Sequence, residues 1–388
     1  MKKIVFITTH NWDTKRQGGF HKFAEACVLA GYETVFFSFP RPYYGFFMHR
    51  EQLNKSIIKM LKRGKFYNVN GTKNRLLNIT FPTFRLPDSA GKLFPAAFMN
   101  WCLSHSFVSF KHFAKKYLKG TDCFVFESCE GVYFIDKLKK LFSSAKMIYR
   151  PSDPMVYASI PERVKKMEQN ILYKADLSLI VNQEGVDTYR KCIVDFDSKV
   201  KYEILSNGID IKSYEKTYEC PELLKNENTI LYVGAWEVEW NLIFQSAETN
   251  LEFNYIVVCP NYPNAAVLEK CKKYNNVQYV PGISPAEVPA WITNCSVVMV
   301  PYKTDFYKDR PLGITAKYYQ AMAAQKPIVA YCDTPKLKDA GVPVTYSYSD
   351  FINEIQKAVE KKRCEYTFDL QGREWDVICK KFIEKCVK

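Results

Sequence analysis

A chain of 388 residues is too long for one ordinary hydrophobic core and long enough for two α/β domains. With 47% hydrophobic and 25% charged residues it has the profile of a soluble globular protein, and no uninterrupted apolar stretch reaches the length that spans a bilayer. Its 13 cysteines form no C-x-x-C pair and no zinc-ligand spacing with histidine, which argues against a disulfide framework and for a reducing cytoplasm. The net charge of +14 is uneven. Residues 1–200 hold 32 Lys and Arg against 17 Asp and Glu, and the remainder holds 23 against 24. A basic half suits either nucleic acid or an anionic membrane, so charge alone does not choose between them.

In chain order, MKKIVFITTHNWD reads as a first buried strand (Ile4–Thr8) and not as a signal peptide, because its apolar run ends within a few residues. Gly18 and Gly19 open an amphipathic segment that ends at Gly31, and Thr34–Ser38 reads as the next strand. This β–loop–α–β unit predicts a parallel sheet, continued by Cys123–Glu127, Met147–Arg150 and Ser178–Val181. His10, Asn11 and Asp13 follow the first strand, and Glu127 and Glu130 follow the third; all five are candidates for gripping an acceptor.

Residues 41–120 are dense in aromatic and basic side chains. In Leu53–Arg63, Leu53, Ile57, Met60 and Leu61 share one helical face, with Lys55, Lys59, Lys62 and Arg63 elsewhere; Phe107, Phe110, Phe113, Ala114 and Tyr117 repeat the pattern. Such helices either lie in a lipid interface or pack a core-facing stripe with a solvated basic side.

The loop Arg150-Pro151-Ser152-Asp153-Pro154 holds Asp153 at a strand's carboxyl end. A carboxylate there can deprotonate a hydroxyl or can cap the next helix. Asp195-Phe196-Asp197 has D-x-D spacing but lies in a polar connection beside Lys199, so no metal is expected.

A second alternating half begins near residue 200, with strands at Thr229–Val233, Tyr255–Cys259, Val277–Val280, Val297–Val300 and Ile328–Tyr331 and helices near 264–274, 314–324 and 351–361. Two Rossmann-like domains follow, over 1–200 and 201–367, with a charged helix in 368–388 packing back on the first. The most informative run is Pro311–Ala330. It reads as a loop, a helix starting near Ile314, Thr315 and Ala316, and then a strand after Pro327. A helix N-terminus suits a diphosphate; Lys317 sits in its first turn, with Gln320 one turn on. Lys317 also reads as an ordinary surface lysine. Tyr302, after its strand, can stack on a base; Asn207, Gly208, Gly234 and Trp236 form tight loops near the same strand ends.

The pattern Gly313-Ile314-x-x-Lys317-x-x-x-Ala321-Met322-Ala323-x-x-x-Pro327-Ile328-Val329-Ala330, with Ser206-Asn207-Gly208-Ile209-Asp210 and Tyr232-Val233-Gly234-Ala235-Trp236, resembles the donor segment of GT-B glycosyltransferases. The spacing of Tyr302, Lys317 and Gln320, the Asp153 loop and the basic aromatic first half are similar to the glucuronosyltransferase family typified by GumK of xanthan assembly. That resemblance implies an α/β GT-B fold, two Rossmann-like domains with a cleft between them. It implies an inverting, metal-independent enzyme that takes UDP-glucuronate and a lipid-linked oligosaccharide, on the inner face of the plasma membrane, for exopolysaccharide or capsule synthesis. By the same resemblance Asp153 would be the catalytic base and Lys317 the group on the leaving diphosphate, with no cofactor and no nucleic-acid partner. The two glutamates that retaining GT-B enzymes commonly place eight positions apart are Leu312 and Gln320 here, which argues against retention. Two alternatives remain: a nucleotide-sugar 2-epimerase of the same architecture, and a non-catalytic basic protein on membranes or polyanions.

Overall fold

The computed structural model describes residues 2–14, 17–45, 61, 63–69, 72–157, 159–235, 237–260, 263–303 and 313–387. Of the Leu53–Arg63 segment only Leu61 and Arg63 are among them, and Trp236 and Leu312 lie outside. The chain divides into two compact units, Met1–Ser206 with Cys379–Lys388, and Asn207–Ile378. Boundaries read at 200 and 368 thus fall at 206 and 378.

The first unit is built on eight strands: β1 (Lys3–Thr8), β2 (Glu33–Pro42), β3 (Lys65–Asn68), β4 (Arg75–Thr83), β5 (Cys123–Phe126), β6 (Lys146–Tyr149), β7 (Leu177–Ile180) and β8 (Tyr202–Ile204). They lie in the order β3-β4-β2-β1-β5-β6-β7-β8, and only the β3–β4 pair is antiparallel. The central strands are buried on both faces, which is why Ile4–Ile7 and Cys123–Phe126 are continuous apolar runs without alternation.

The sequence reading missed β3 and β4. β4 runs between β2 and β3 and is largely buried despite its polar interruptions. Asn78, a turn-forming type, sits at 0% exposure inside it. Its amide donates to the Phe36 carbonyl at 2.7 Å and to Ser38 Oγ at 2.9 Å, and its oxygen accepts the Trp12 N–H at 3.0 Å. Those partners come from distant chain positions, so the reason Asn is tolerated in this strand is tertiary.

The second amphipathic segment, Phe107 to Tyr117, forms the helix Phe110–Tyr117, with Phe107 before it. Its apolar residues Phe110, Phe113 and Ala114 are buried, Phe110 against Phe39 and Phe113 against Phe37 and Phe81. The helix is therefore core-facing, and its lysines are its solvated side. The exposed apolar surface lies just before it: Leu93, Phe94, the outer face of helix Ala96–Ser104 (Phe98, Trp101), and Phe107 with Val108. Leu93 is 82% and Phe107 83% exposed.

The second unit carries β9 (Thr229–Val233), β10 (Asn254–Val258), β11 (Val277–Val280), β12 (Val297–Pro301), β13 (Ile328–Tyr331) and β14 (Val344–Thr345), all parallel. Their order, β11-β10-β9-β12-β13-β14, is that of a Rossmann sheet. Among the described residues no helix is long and apolar enough to cross a membrane.

The last helix, Trp375–Val387, brings the chain back to the first unit. Ile378, Cys379, Phe382 and Cys386 make its buried stripe at helical spacing. Phe382 stacks on Phe23 at 4.3 Å between ring centroids and meets Phe6 at 5.9 Å. At its end the Lys385 Nζ pairs with Glu203 at 2.7 Å, and the Lys385 carbonyl accepts from Lys146 Nζ at 2.7 Å. Phe382 is fully buried, so Phe382→Ala is expected to cost about 3–5 kcal/mol of unfolding free energy. Chemical denaturation of the whole chain, followed by fluorescence and circular dichroism, measures it.

Candidate functional site

In an open parallel sheet, ligands bind beyond the carboxyl ends of the strands where the strand order reverses. In the second unit that point lies between β9 and β12. Gly234 follows the end of β9, and Tyr302 follows the end of β12. The helix Ala316–Ala323, which comes after β12, brings Lys317 to the same place.

Lys317 is not a surface lysine. It is 8% exposed, and its Nζ donates to Tyr302 Oη at 2.5 Å. The amine also lies 4.7 Å from the Tyr302 ring and 5.4 Å from the Tyr232 ring. Burial pushes its pKa down to about 8, against the opposing pull of the Asp333 carboxylate. A Cβ on Gly234 would stand 3.0 Å from Lys317 Cε and 2.7 Å from Tyr232 Oη, so the glycine is what leaves room for the lysine. The helix starts at Ala316, with Ile314 and Thr315 ahead of it. Thr315 does not cap it, and the buried Thr315 Oγ1 has no hydrogen-bond partner among the described residues.

Asp333 escaped the sequence reading. It follows β13, accepts from Tyr318 Oη and from the Thr334 N–H (2.7 Å), and is held above the usual carboxylate range by burial. The i+1 position of Tyr318 after Lys317 was visible, but no local signal links it to residue 333.

Three expectations change here. Tyr302 is 1% exposed and holds Lys317, so its ring offers no open face for stacking. Gly208 packs under Trp375, where a Cβ would come within 2.6 Å of the indole, at the junction where the Ile209 N–H donates to the Arg373 carbonyl and the Trp375 N–H to the Ile209 carbonyl. Gln320 hydrogen-bonds the Tyr214 hydroxyl.

The corresponding reversal in the first unit lies between β1 and β5. Thr8 at the end of β1 donates its hydroxyl to Glu127 just past β5. The other Glu127 oxygen accepts the Ser152 hydroxyl at 3.0 Å. Ser128 Oγ accepts the Ser152 N–H at 3.1 Å and the Asp153 N–H at 3.4 Å. The Asp153 loop is thereby fastened to the ends of β1 and β5, with the Asp153 side chain exposed. Below it the buried Arg150 donates to the Pro151 carbonyl at 2.8 Å; desolvation lowers its pKa to about 10, opposed by Glu127 and Asp153. Asp153 caps no helix: the next one starts at Glu162 after Pro161.

The acceptor candidates separate. Glu127 is buried and spends one oxygen on Thr8 and the other on Ser152. Glu130 is buried between Arg85 and Arg163, the latter at 2.8 Å, which makes it a scaffold carboxylate and not an open grip. His10 and Asp13 are exposed. The His10 backbone is pinned by Thr8 and Ser38, and the Asn11 carbonyl bonds the buried His21 ring at 3.1 Å. Asp13 accepts from Tyr67 Oη at 2.6 Å and from Lys65 at 3.4 Å.

In the D-x-D segment, Asp195 is paired with Tyr173 and Lys199, and Asp197 with Arg190 at 2.9 Å.

Residues 6–181, a little under half of the chain, match the N-terminal domain of the glucuronosyltransferase GumK. No curated protein sequence matches. Solved structures similar along the full length include sucrose-phosphate synthase from Thermosynechococcus elongatus, with a TM-score of 0.68 and 13% identity over 99% of this chain and 98% of that one. A second, described as trehalose-6-phosphate from E. coli bound with UDP-2-fluoro glucose, has a TM-score of 0.61 and 13% identity over 99% of each chain. A third is a trehalose-6-phosphate synthase studied for glycosyl transfer with retention, with a TM-score of 0.58 and 13% identity over 99% and 98%. The chain therefore has the GT-B glycosyltransferase fold, and its first unit resembles the N-terminal domain of GumK.

Proposed function

We propose that the protein is an inverting, metal-independent glycosyltransferase that moves a sugar, glucuronate foremost, from a UDP-sugar to a lipid-linked oligosaccharide, as in exopolysaccharide or capsule synthesis. The observation that carries the reading is Lys317: a buried amine, held at the start of a helix beyond the strand reversal of a Rossmann sheet, is a site for a diphosphate. Asp153 takes the proton of the acceptor hydroxyl, which forms the new bond to the anomeric carbon while the bond to UDP breaks. Lys317 and the helix N-terminus carry the charge that develops on the leaving UDP. The rigid loop under Asp153 supports its role as base, because a group fixed in place spends no reorganisation on reaching the hydroxyl. Inversion rests on the absence of the paired glutamates at Leu312 and Gln320; the retaining synthase of the same fold makes product stereochemistry the check. Metal independence is supported by the pairing of Asp195 with Lys199 and of Asp197 with Arg190.

Attachment to the cytoplasmic face of the membrane completes the proposal. Phe94 and Phe98 stand 5.1 Å apart, Phe98 and Trp101 6.1 Å, Trp101 and Phe84 6.2 Å, and Phe84 and Phe107 4.7 Å, forming one aromatic surface. Exposed Lys92, Lys111, Lys115 and Lys116 flank it in the chain. An exposed apolar patch with basic neighbours matches an anionic bilayer surface, where each lysine adds about 1 kcal/mol.

The first experiment is a thermal-shift screen with UDP, UDP-glucuronate, UDP-glucose and GDP-mannose, with and without EDTA. Stabilisation by UDP-glucuronate that survives EDTA is expected; no shift with any nucleotide would sink the reading. The Lys317 pKa of about 8 gives the sign of a pH effect. The ammonium is present below that pH and lost above it, so UDP affinity should weaken by up to about tenfold per pH unit above 8. Calorimetric titration should show that slope in the native protein and none in Lys317→Met. Folded Asp153→Asn should lose transfer by at least about a hundredfold, as loss of a general base requires. Leu93→Ser with Phe107→Ser should reduce co-sedimentation with phosphatidylglycerol vesicles and leave UDP binding intact.

A further inference from the structure

One buried carboxylate is used by none of these roles. Glu168, on the helix Glu162–Lys174, is 0% exposed. Its Oε1 accepts the hydroxyls of Tyr149 (2.5 Å) and Tyr189 (2.6 Å), and its Oε2 accepts the Met155 N–H at 2.5 Å. Tyr149 ends β6, immediately before the Asp153 loop, and Met155 lies two residues past Asp153. The loop thus has two fastenings, with Asp153 between them: Glu127 and Ser128 hold Ser152 and the Asp153 N–H on one side, and Glu168 holds Met155 on the other.

We infer that Glu168 is a positioning residue that fixes the Asp153 loop through the Met155 N–H, so that the Asp153 carboxylate meets the acceptor hydroxyl at a set place. The inference rests on the reading of Asp153 as the base. Keeping the acid buried carries a pH-dependent cost. Burial raises the Glu168 pKa to about 7, and the hydrogen bonds from the two tyrosines and Met155 only partly offset it. Between the ordinary carboxylate pKa and that value the unfolded chain binds fewer protons than the fold. Stability therefore falls as pH rises through that window and stays reduced above it. An apolar residue would avoid this penalty but would leave two tyrosine hydroxyls and the Met155 N–H without their acceptor. What the apolar residue cannot do is accept the Met155 N–H.

Two variants separate hydrogen bonding from mere volume. Glu168→Leu keeps an apolar filling and removes the acceptor; Glu168→Gln keeps an oxygen for Met155 and offers its amide N–H groups to the tyrosine oxygens. The expected result is a fall in kcat of about ten- to a hundredfold in Glu168→Leu, with the UDP-sugar KM within about threefold of native, and recovery of most of the kcat in Glu168→Gln. Native kcat in folded Glu168→Leu overturns the inference. So does a Gln variant as slow as the Leu variant, since the proton and not the hydrogen bond would then matter. Should Glu168→Leu fail to fold, hydrogen exchange on the native protein decides. A Met155 amide as protected as the β6 amides supports the tether; one that exchanges like an exposed loop overturns it. Asp153→Asn in the same assay keeps the two ideas apart. Full activity there removes the base, and the exchange pattern alone then tells whether Glu168 holds the loop.

Discussion

The arrangement depends on a reversal of strand order. In each unit the chain winds outward from a central strand in both directions, so the connections beyond the carboxyl ends of β1 and β5, and of β9 and β12, run apart. Side chains from sequence-distant loops meet there: Thr8 with Glu127 and Ser152 in one unit, Gly234 with Tyr302 and Lys317 in the other. The topology decides where chemistry can occur before any particular residue does.

What occupies the two openings differs in electrostatic kind. In the second unit a lysine is taken out of water next to phenol rings, with a carboxylate close enough to pull its pKa back but too few contacts to restore it. A buried cation with incomplete compensation favours an anionic ligand, because the ligand supplies the charge the fold withholds. In the first unit the buried acids Glu127, Glu130 and Glu168 are all committed to hydroxyls, guanidinium groups or a backbone N–H. Asp153 is exposed on the loop that Glu127 and Glu168 fasten, with the buried Arg150 charge close by.

That contrast shows why single-residue readings of the sequence went partly astray. Acids after strand ends look alike in a sequence. Glu130 is consumed by Arg85 and Arg163, at separations of 45 and 33 residues, and Glu127 by residues at separations of 119 and 25. Glu168 carried no local signal at all, since a glutamate on an amphipathic helix is ordinarily a solvated one. Phe107 and Phe110 are three residues apart in one aromatic stretch, yet one is exposed and the other packs on Phe39. The tyrosine at 302 was correctly located at a strand end, but its partner turned out to be Lys317.

By itself the sequence determined the periodicities: buried parallel strands such as β1, β5, β9 and β13, the helix that begins before Lys317, the rigid proline-bounded loop at Asp153, and the second half's glycine at 234. These follow from nearest-neighbour stereochemistry and from apolar runs, both of which are local. Only the tertiary structure decided that Asn78 is interior, that Gly208 exists to admit Trp375, that Lys317 is buried, and which acids are scaffolding. Each of those outcomes depends on a partner brought near by chain winding. Burial and charge compensation are properties of the assembled neighbourhood, which no local pattern encodes.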